Sequence, residues 1–73
     1  MEQLMEMLQE NYPHIDFEVE KSLMSDGILD SIAVVTIIAE IENMFDISVT
    51  MEYIQPIYFE SVETMWEMIE ELQ

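Results

Sequence analysis

The 73-residue sequence predicts an all-α fold, a small four-helix bundle with a short third helix. Three observations carry that expectation. Apolar residues recur at helical spacing in separate stretches of the chain. Hydrophobic residues make up 51% of the sequence despite a formal net charge of −16, so this acidity does not mark a disordered segment. The residues that punctuate helices are scarce: one glycine, at position 27, and two prolines, at 13 and 56.

The first helix is expected from about Met1 to Tyr12. Met1, Leu4, Met5, Leu8 and Tyr12 share one face. Pro13 ends it, with Asn11 ahead of the proline pushed out of helical geometry. Residues 13 to 30 are expected to be a long loop whose Ile15, Phe17, Val19, Leu23, Ile28 and Leu29 dip into the core. The period-two alternation of "IDFEVE" is a strand signal, and "ISVT" at 47 to 50 could pair with it. Two short strands with nothing else to pair with are marginal in water, so the loop is the preferred reading. The second helix spans about Ser31 to Phe45, with Val34, Ile37, Ile38, Ile41 and Phe45 as its core stripe. A brief third helix covers Met51 to Gln55 and stops near Pro56. The fourth is capped by Ser61. Val62, Met65, Ile69 and Leu72 line its inner face with Trp66 beside them. The eight methionines are expected to supply much of the core, where their flexibility lets them fill irregular gaps.

The whole chain, residues 1 to 73, reads as one domain. Domains near this size bury only about 60% of the surface their unfolded chains expose, which leaves no room for a deep catalytic cleft. With no cysteine, disulfides and thiolate metal ligands are absent. The lone His14 cannot complete a metal set, so no metal site is expected. No apolar run reaches the roughly 18 residues of a membrane span. The acidic N-terminus is unlike a secretory signal, so a cytoplasmic protein is expected. Seventeen acids stand against the single Lys21, and no nucleic-acid partner is expected because phosphate binding needs Lys and Arg. Partners should instead carry basic surfaces. No catalytic set of side chains emerges, and the chain is not expected to be an enzyme.

One residue stands out. "DGILDS", residues 26 to 31, delivers a hydroxyl to the start of the second helix. Ser31 could simply be the helix N-cap. Alternatively Asp30 caps, leaving the Ser31 hydroxyl free beside unpaired N–H groups that favour an attached phosphate. The face opposite the core stripe carries Ile32, Val35, Thr36, Ala39 and Asn43. It is unusually neutral for so acidic a chain, which marks it as covered or as a docking surface.

"DGILDSIAVVTIIAEIENMFDI" resembles the central segment of acyl carrier proteins. The shared features are an Asp-Ser-aliphatic core after a "DG-aliphatic-aliphatic" turn, Leu23 before it, and Phe45-Asp46 at the end of the helix. Ile32 stands where leucine is usual. "YFESVETMWEMIEEL" is similar to the family's last helix and its lead-in. The resemblance implies a four-helix bundle and 4′-phosphopantetheine joined to Ser31, with Asp30 as the adjacent motif residue. It implies a phosphopantetheinyl transferase that attaches this arm, and an adenylation or other acyl-loading enzyme that charges it as a thioester. The chain itself is expected to be a monomer. Ala33, Val34 and Thr36 leave the early second helix without acids until Glu40. That is more like D-alanyl and related stand-alone aminoacyl carriers than fatty-acid carriers. Two rival readings remain open at this level. One is a small acidic interaction module binding a basic partner, with Ser31 only a cap. The other is a switch in which Ser31 takes a simple phosphate.

With a net charge of −16 in so small a volume, like charges lie within a few Debye lengths, each about 8 Å at physiological salt. Added salt should therefore raise the melting temperature by several degrees between low and moderate ionic strength. A calorimetric series over that range checks it, and an unchanged melting temperature would refute the account.

Overall fold

The computed structural model describes all of residues 1–73, and its regular structure is entirely helical. Helix α1 runs Glu2–Asn11, α2 Ser31–Phe45 and α3 Val62–Leu72. Between α2 and α3 lie two 3₁₀ turns, Met51–Tyr53 and Pro56–Phe59. The strand alternative is not realised.

The helices bury the stripes that periodicity assigns, with small rotations. α1 buries Leu4, Met7 and Leu8, so its face is centred nearer Met7 than expected, and Met1 is exposed. Asn11 stays helical. It is Tyr12, directly before Pro13, that leaves the helix at φ −132° and ψ 66°. α2 buries Val34, Ile37, Ile38 and Ile41, while Phe45 is half-buried and packs edge-on against Trp66 at 5.7 Å between ring centroids. α3 buries Val62, Met65, Met68 and Ile69, and Leu72 is only half-buried. Ser61 caps α3 as expected. Its hydroxyl oxygen accepts the Thr64 N–H, and the Thr64 hydroxyl oxygen accepts the Ser61 N–H in return.

Methionine contributes less to the core than composition suggests. Met7, Met65 and Met68 are buried, but Met1, Met44 and Met51 are exposed. The largest fully buried side chains are Phe17 and Phe59, both from outside the α-helices. Each such side chain contributes about 1.5–3 kcal/mol when removed from water.

The expected third helix is not an α-helix. Gln55 is extended (φ −137°, ψ 148°) because it precedes Pro56, and this stops the first 3₁₀ turn after a single pair of bonds, Tyr53 N–H to Thr50 C=O and Ile54 N–H to Met51 C=O. So short a run cannot offset the cost of nucleating an α-helix. Pro56 then opens the second 3₁₀ turn, where its missing N–H would have had no partner anyway.

The connection from Tyr12 to Asp30 inserts Ile15, Phe17, Leu23 and Leu29 into the core. Val19 does not follow them and is 68% exposed. The alternation breaks at Asp16, whose carbonyl accepts the Val19 and Glu20 N–H groups. That bend turns Val19 outward. Gln9 of α1 holds this stretch by donating to the Ile15 carbonyl (3.2 Å) and accepting the Phe17 N–H (3.3 Å). Across the molecule, the Glu60 carbonyl accepts the Leu23 N–H at 2.9 Å. Oε1 of Glu60 accepts the N–H groups of Met24 (2.8 Å) and Ser25 (2.9 Å), and Oε2 accepts the Ser25 hydroxyl. Lys21 forms the one ion pair, with Glu63 at 2.8 Å, on the surface.

The Ser25 hydroxyl, with the Ser25 and Met24 N–H groups, holds the Glu60 carboxyl below the usual carboxylate range. A depressed folded pKa contributes stability that is fully present above the unfolded value, about 4.3, and is lost as pH falls through the folded value. The melting-temperature advantage of wild type over Glu60→Gln should therefore be constant from neutral pH to about 4.3 and shrink below it. Melting curves of both proteins between pH 7 and 2.5 check this. An advantage that grows on acidification would contradict it.

Candidate functional site

The turn that leads into α2 is built around one glycine and two buried leucines. Gly27 sits at φ 71°, a left-handed conformation that side chains disfavour, and this is why glycine stands here. A Cβ at that position would meet nothing within 4 Å, so the constraint is backbone conformation and not crowding. The Gly27 N–H bonds the Met24 carbonyl at 3.1 Å. The Leu23 carbonyl then accepts both Ile28 N–H (2.9 Å) and Leu29 N–H (3.0 Å). Leu23 and Leu29 are buried, which fixes the chain direction immediately before Asp30.

Asp30 is the N-cap of α2. Its backbone is extended (φ −109°, ψ −179°) and its Oδ1 accepts the Ala33 N–H at 2.8 Å. Ser31 is therefore the first helical residue and not the cap. It is exposed, and its hydroxyl makes no hydrogen bond within the chain. The backbone N–H groups of Ser31 and Ile32 also donate to nothing, because the residues four before them are not helical. A free hydroxyl thus lies beside two free N–H donors at the positive end of a fifteen-residue helix. These residues fit a phosphodiester on Ser31.

The neighbouring face is apolar. Ile32 is 78% and Val35 65% exposed, and Thr36, Ala39 and Asn43 are exposed along the same side of α2. Thr36 returns its hydroxyl to the Ile32 carbonyl at 3.1 Å, so it offers its methyl group outward more than a free donor. Two shallow depressions flank this ridge. One, of about 210 Å³, is lined by Ser31, Val34 and Val35 of α2 with Met24, Ile54, Pro56 and Phe59. The other, of about 330 Å³, includes Ile32 and Thr36 with Tyr12, His14 and Ile28.

Sequence reading missed the far wall of the first groove. Ile54 and Pro56 belong to that wall, and Met51 and Ile57 in the same segment are exposed as well. Nothing in the sequence separates these residues from core residues, because a 3₁₀ turn has too few residues to show a face. The role of Glu60 was equally hidden, since its partners lie 35 and 36 residues away.

Comparison with known proteins gives one family. The family described as "Phosphopantetheine attachment site" matches residues 2–55, a range that contains α1, the turn, Ser31, α2 and the first 3₁₀ turn. Neither the curated proteins nor the solved structures include a significant match.

The cap assignment has a direct consequence for stability. Asp30→Ala should cost about 1 kcal/mol, the usual loss for an N-cap, whereas Ser31→Ala should change stability by no more than a few tenths. Urea denaturation of the two variants checks this. A larger loss for Ser31→Ala would mean that Ser31, not Asp30, caps α2.

Proposed function

The chain belongs to the phosphopantetheine-attachment family, carrier proteins of the acyl carrier type that bear 4′-phosphopantetheine covalently, and we propose that Ser31 is the residue that bears it here. The observation that carries this reading is the free, exposed Ser31 hydroxyl on the first turn of α2, with the capping task already taken by Asp30. Ser22, Ser25, Ser48 and Ser61 lack that setting. The Ser25 hydroxyl is engaged by Glu60, and Ser61 is buried as the cap of α3. Asp30 orients the helix start. The free N–H groups of Ser31 and Ile32 stabilise the phosphodiester against the strongly acidic remainder of the chain.

When bound, the arm supplies the thiol that the cysteine-free chain lacks, so that an acyl or aminoacyl group can ride as a thioester. The protein presents that arm and leaves the chemistry to its partners, acting as one cytoplasmic, monomeric carrier domain over residues 1 to 73. The segment with the two 3₁₀ turns stands where a four-helix carrier has its short third helix. The partners are a phosphopantetheinyl transferase and an adenylation or other acyl-loading enzyme with a basic surface. They dock on Ile32, Val35, Thr36, Ala39 and Asn43, read by apolar shape at short range and drawn in by long-range attraction to the net charge of −16. The cargo is a small aminoacyl or short acyl group. One feature supports this: the early part of α2 carries no acid before Glu40.

Incubation with a broad-specificity phosphopantetheinyl transferase and coenzyme A should raise the intact mass by one arm, mapped to the peptide containing Ser31. Ser31→Ala should gain nothing while keeping its helical circular dichroism. An arm found on another serine would overturn the assignment. Val35→Glu should reduce loading about tenfold or more with little loss of stability. Ile38→Glu should unfold the domain, because an unpaired carboxylate would enter the core. Equal damage to stability by both substitutions would remove the docking-face reading.

A further inference from the structure

Glu60 lies outside the residue range matched by the family and far from Ser31 in sequence. It nevertheless controls the segment that leads there. Its backbone carbonyl takes the Leu23 N–H at 2.9 Å. Its carboxylate takes the Met24 and Ser25 N–H groups, at 2.8 and 2.9 Å, and the Ser25 hydroxyl. Leu23 in turn accepts the Ile28 and Leu29 N–H groups, the last bonds before the Asp30 cap. Met24, whose N–H the carboxylate holds, also lines the groove that contains Ser31 and Val35.

The residues clasped by Glu60 have no helix ladder of their own. Without the carboxylate, the Met24 and Ser25 N–H groups have no other protein partner, and the turn around Gly27 keeps only its short-range bonds. The position of Glu60 is itself fixed. It follows the fully buried Phe59 and precedes Ser61, the cap of α3. The carboxylate therefore transmits the placement of α3 to the turn before α2.

We propose that Glu60 is a positioning residue for arm addition: its carboxylate clasps Met24 and Ser25 and so holds the turn and the groove wall beside Ser31 in the form a transferase recognises. This inference rests on the carrier reading of Ser31. A preformed surface spares the partner the cost of ordering the turn on binding, so the loss of the clasp acts mainly on KM and less on kcat.

The test uses the full chain with a broad-specificity phosphopantetheinyl transferase and coenzyme A, comparing wild type with Glu60→Ala, Glu60→Asp and Glu60→Gln. Alanine removes the acceptor, and aspartate is one methylene too short to span the same distance. Glutamine keeps an Oε1 acceptor for both backbone N–H groups and can donate to the Ser25 Oγ. The alanine and aspartate variants should lose about 10- to 100-fold in kcat/KM, chiefly through KM. Glutamine should restore most of the wild-type value. In parallel, amide exchange should be slow at Met24 and Ser25 in wild type. It should accelerate at Met24, Ser25, Ile28 and Leu29 in Glu60→Ala, but not within α1 or α3. A folded alanine or aspartate variant with wild-type kcat/KM, or an equal loss in the glutamine variant, overturns the proposal. So does rapid exchange of Met24 and Ser25 in wild type, a measurement that stands even where a variant fails to fold. If wild type accepts no arm at all, the carrier reading of Ser31 fails instead, and the exchange data alone decide whether the clasp exists.

Discussion

Leu23 can be buried only because both polar groups of its backbone find partners inside the protein. Its N–H bonds the Glu60 carbonyl, and its carbonyl accepts two N–H groups from the turn around Gly27. A buried residue without such partners would forfeit about as much free energy as a hydrogen bond supplies. This one junction ties the connection between α1 and α2 to the lead-in of α3. It also sets the direction in which the chain reaches Asp30 and Ser31. The long connection is thus not slack between helices. Ile15, Phe17, Leu23 and Leu29 make it part of the core, and Gln9 and Glu60 satisfy its backbone from either side.

That arrangement explains how so small a chain holds an exposed, unpaired hydroxyl in a fixed place without a cleft. Asp30 takes the capping bond, so Ser31 is spared it. The hydroxyl remains exposed at the end of a helix whose other side is anchored by Val34, Ile37, Ile38 and Ile41. Rigidity comes from the buried stripe and the turn, and accessibility from the absence of any partner for Ser31. The exposed residues Ile32 and Val35 follow immediately on the same helix, which places an apolar contact surface next to the hydroxyl.

The charge distribution works with this design. Seventeen acids and one lysine give the molecule a strongly negative field on all sides. The surface around Ser31 is different: the groove walls are Met24, Val35, Ile54 and Pro56. The negative field is therefore general, while the apolar surface is confined to one region.

Much of this was determined by the sequence alone. The stripe of α2, the capping of α3 by Ser61, the glycine turn and the alternative of an Asp30 cap with a free Ser31 all follow from local rules, because a helix face or a cap is decided within a few residues. The neutral outer face of α2 was legible for the same reason. Other features were decided only by the tertiary structure. Val19 left the core because Asp16 bends the chain, although the period-two pattern grouped it with Phe17. The segment at 51 to 59 became two 3₁₀ turns, since Pro56 extends Gln55 and leaves too few residues for an α-helix. Met51, Ile54 and Ile57 became surface while Phe59 became core, a division that composition does not distinguish. The clasp of Glu60 on Met24 and Ser25 depends on bringing together residues 35 and 36 positions apart. No local pattern encodes such a contact, because it exists only once α3 has packed and carried Glu60 to the turn.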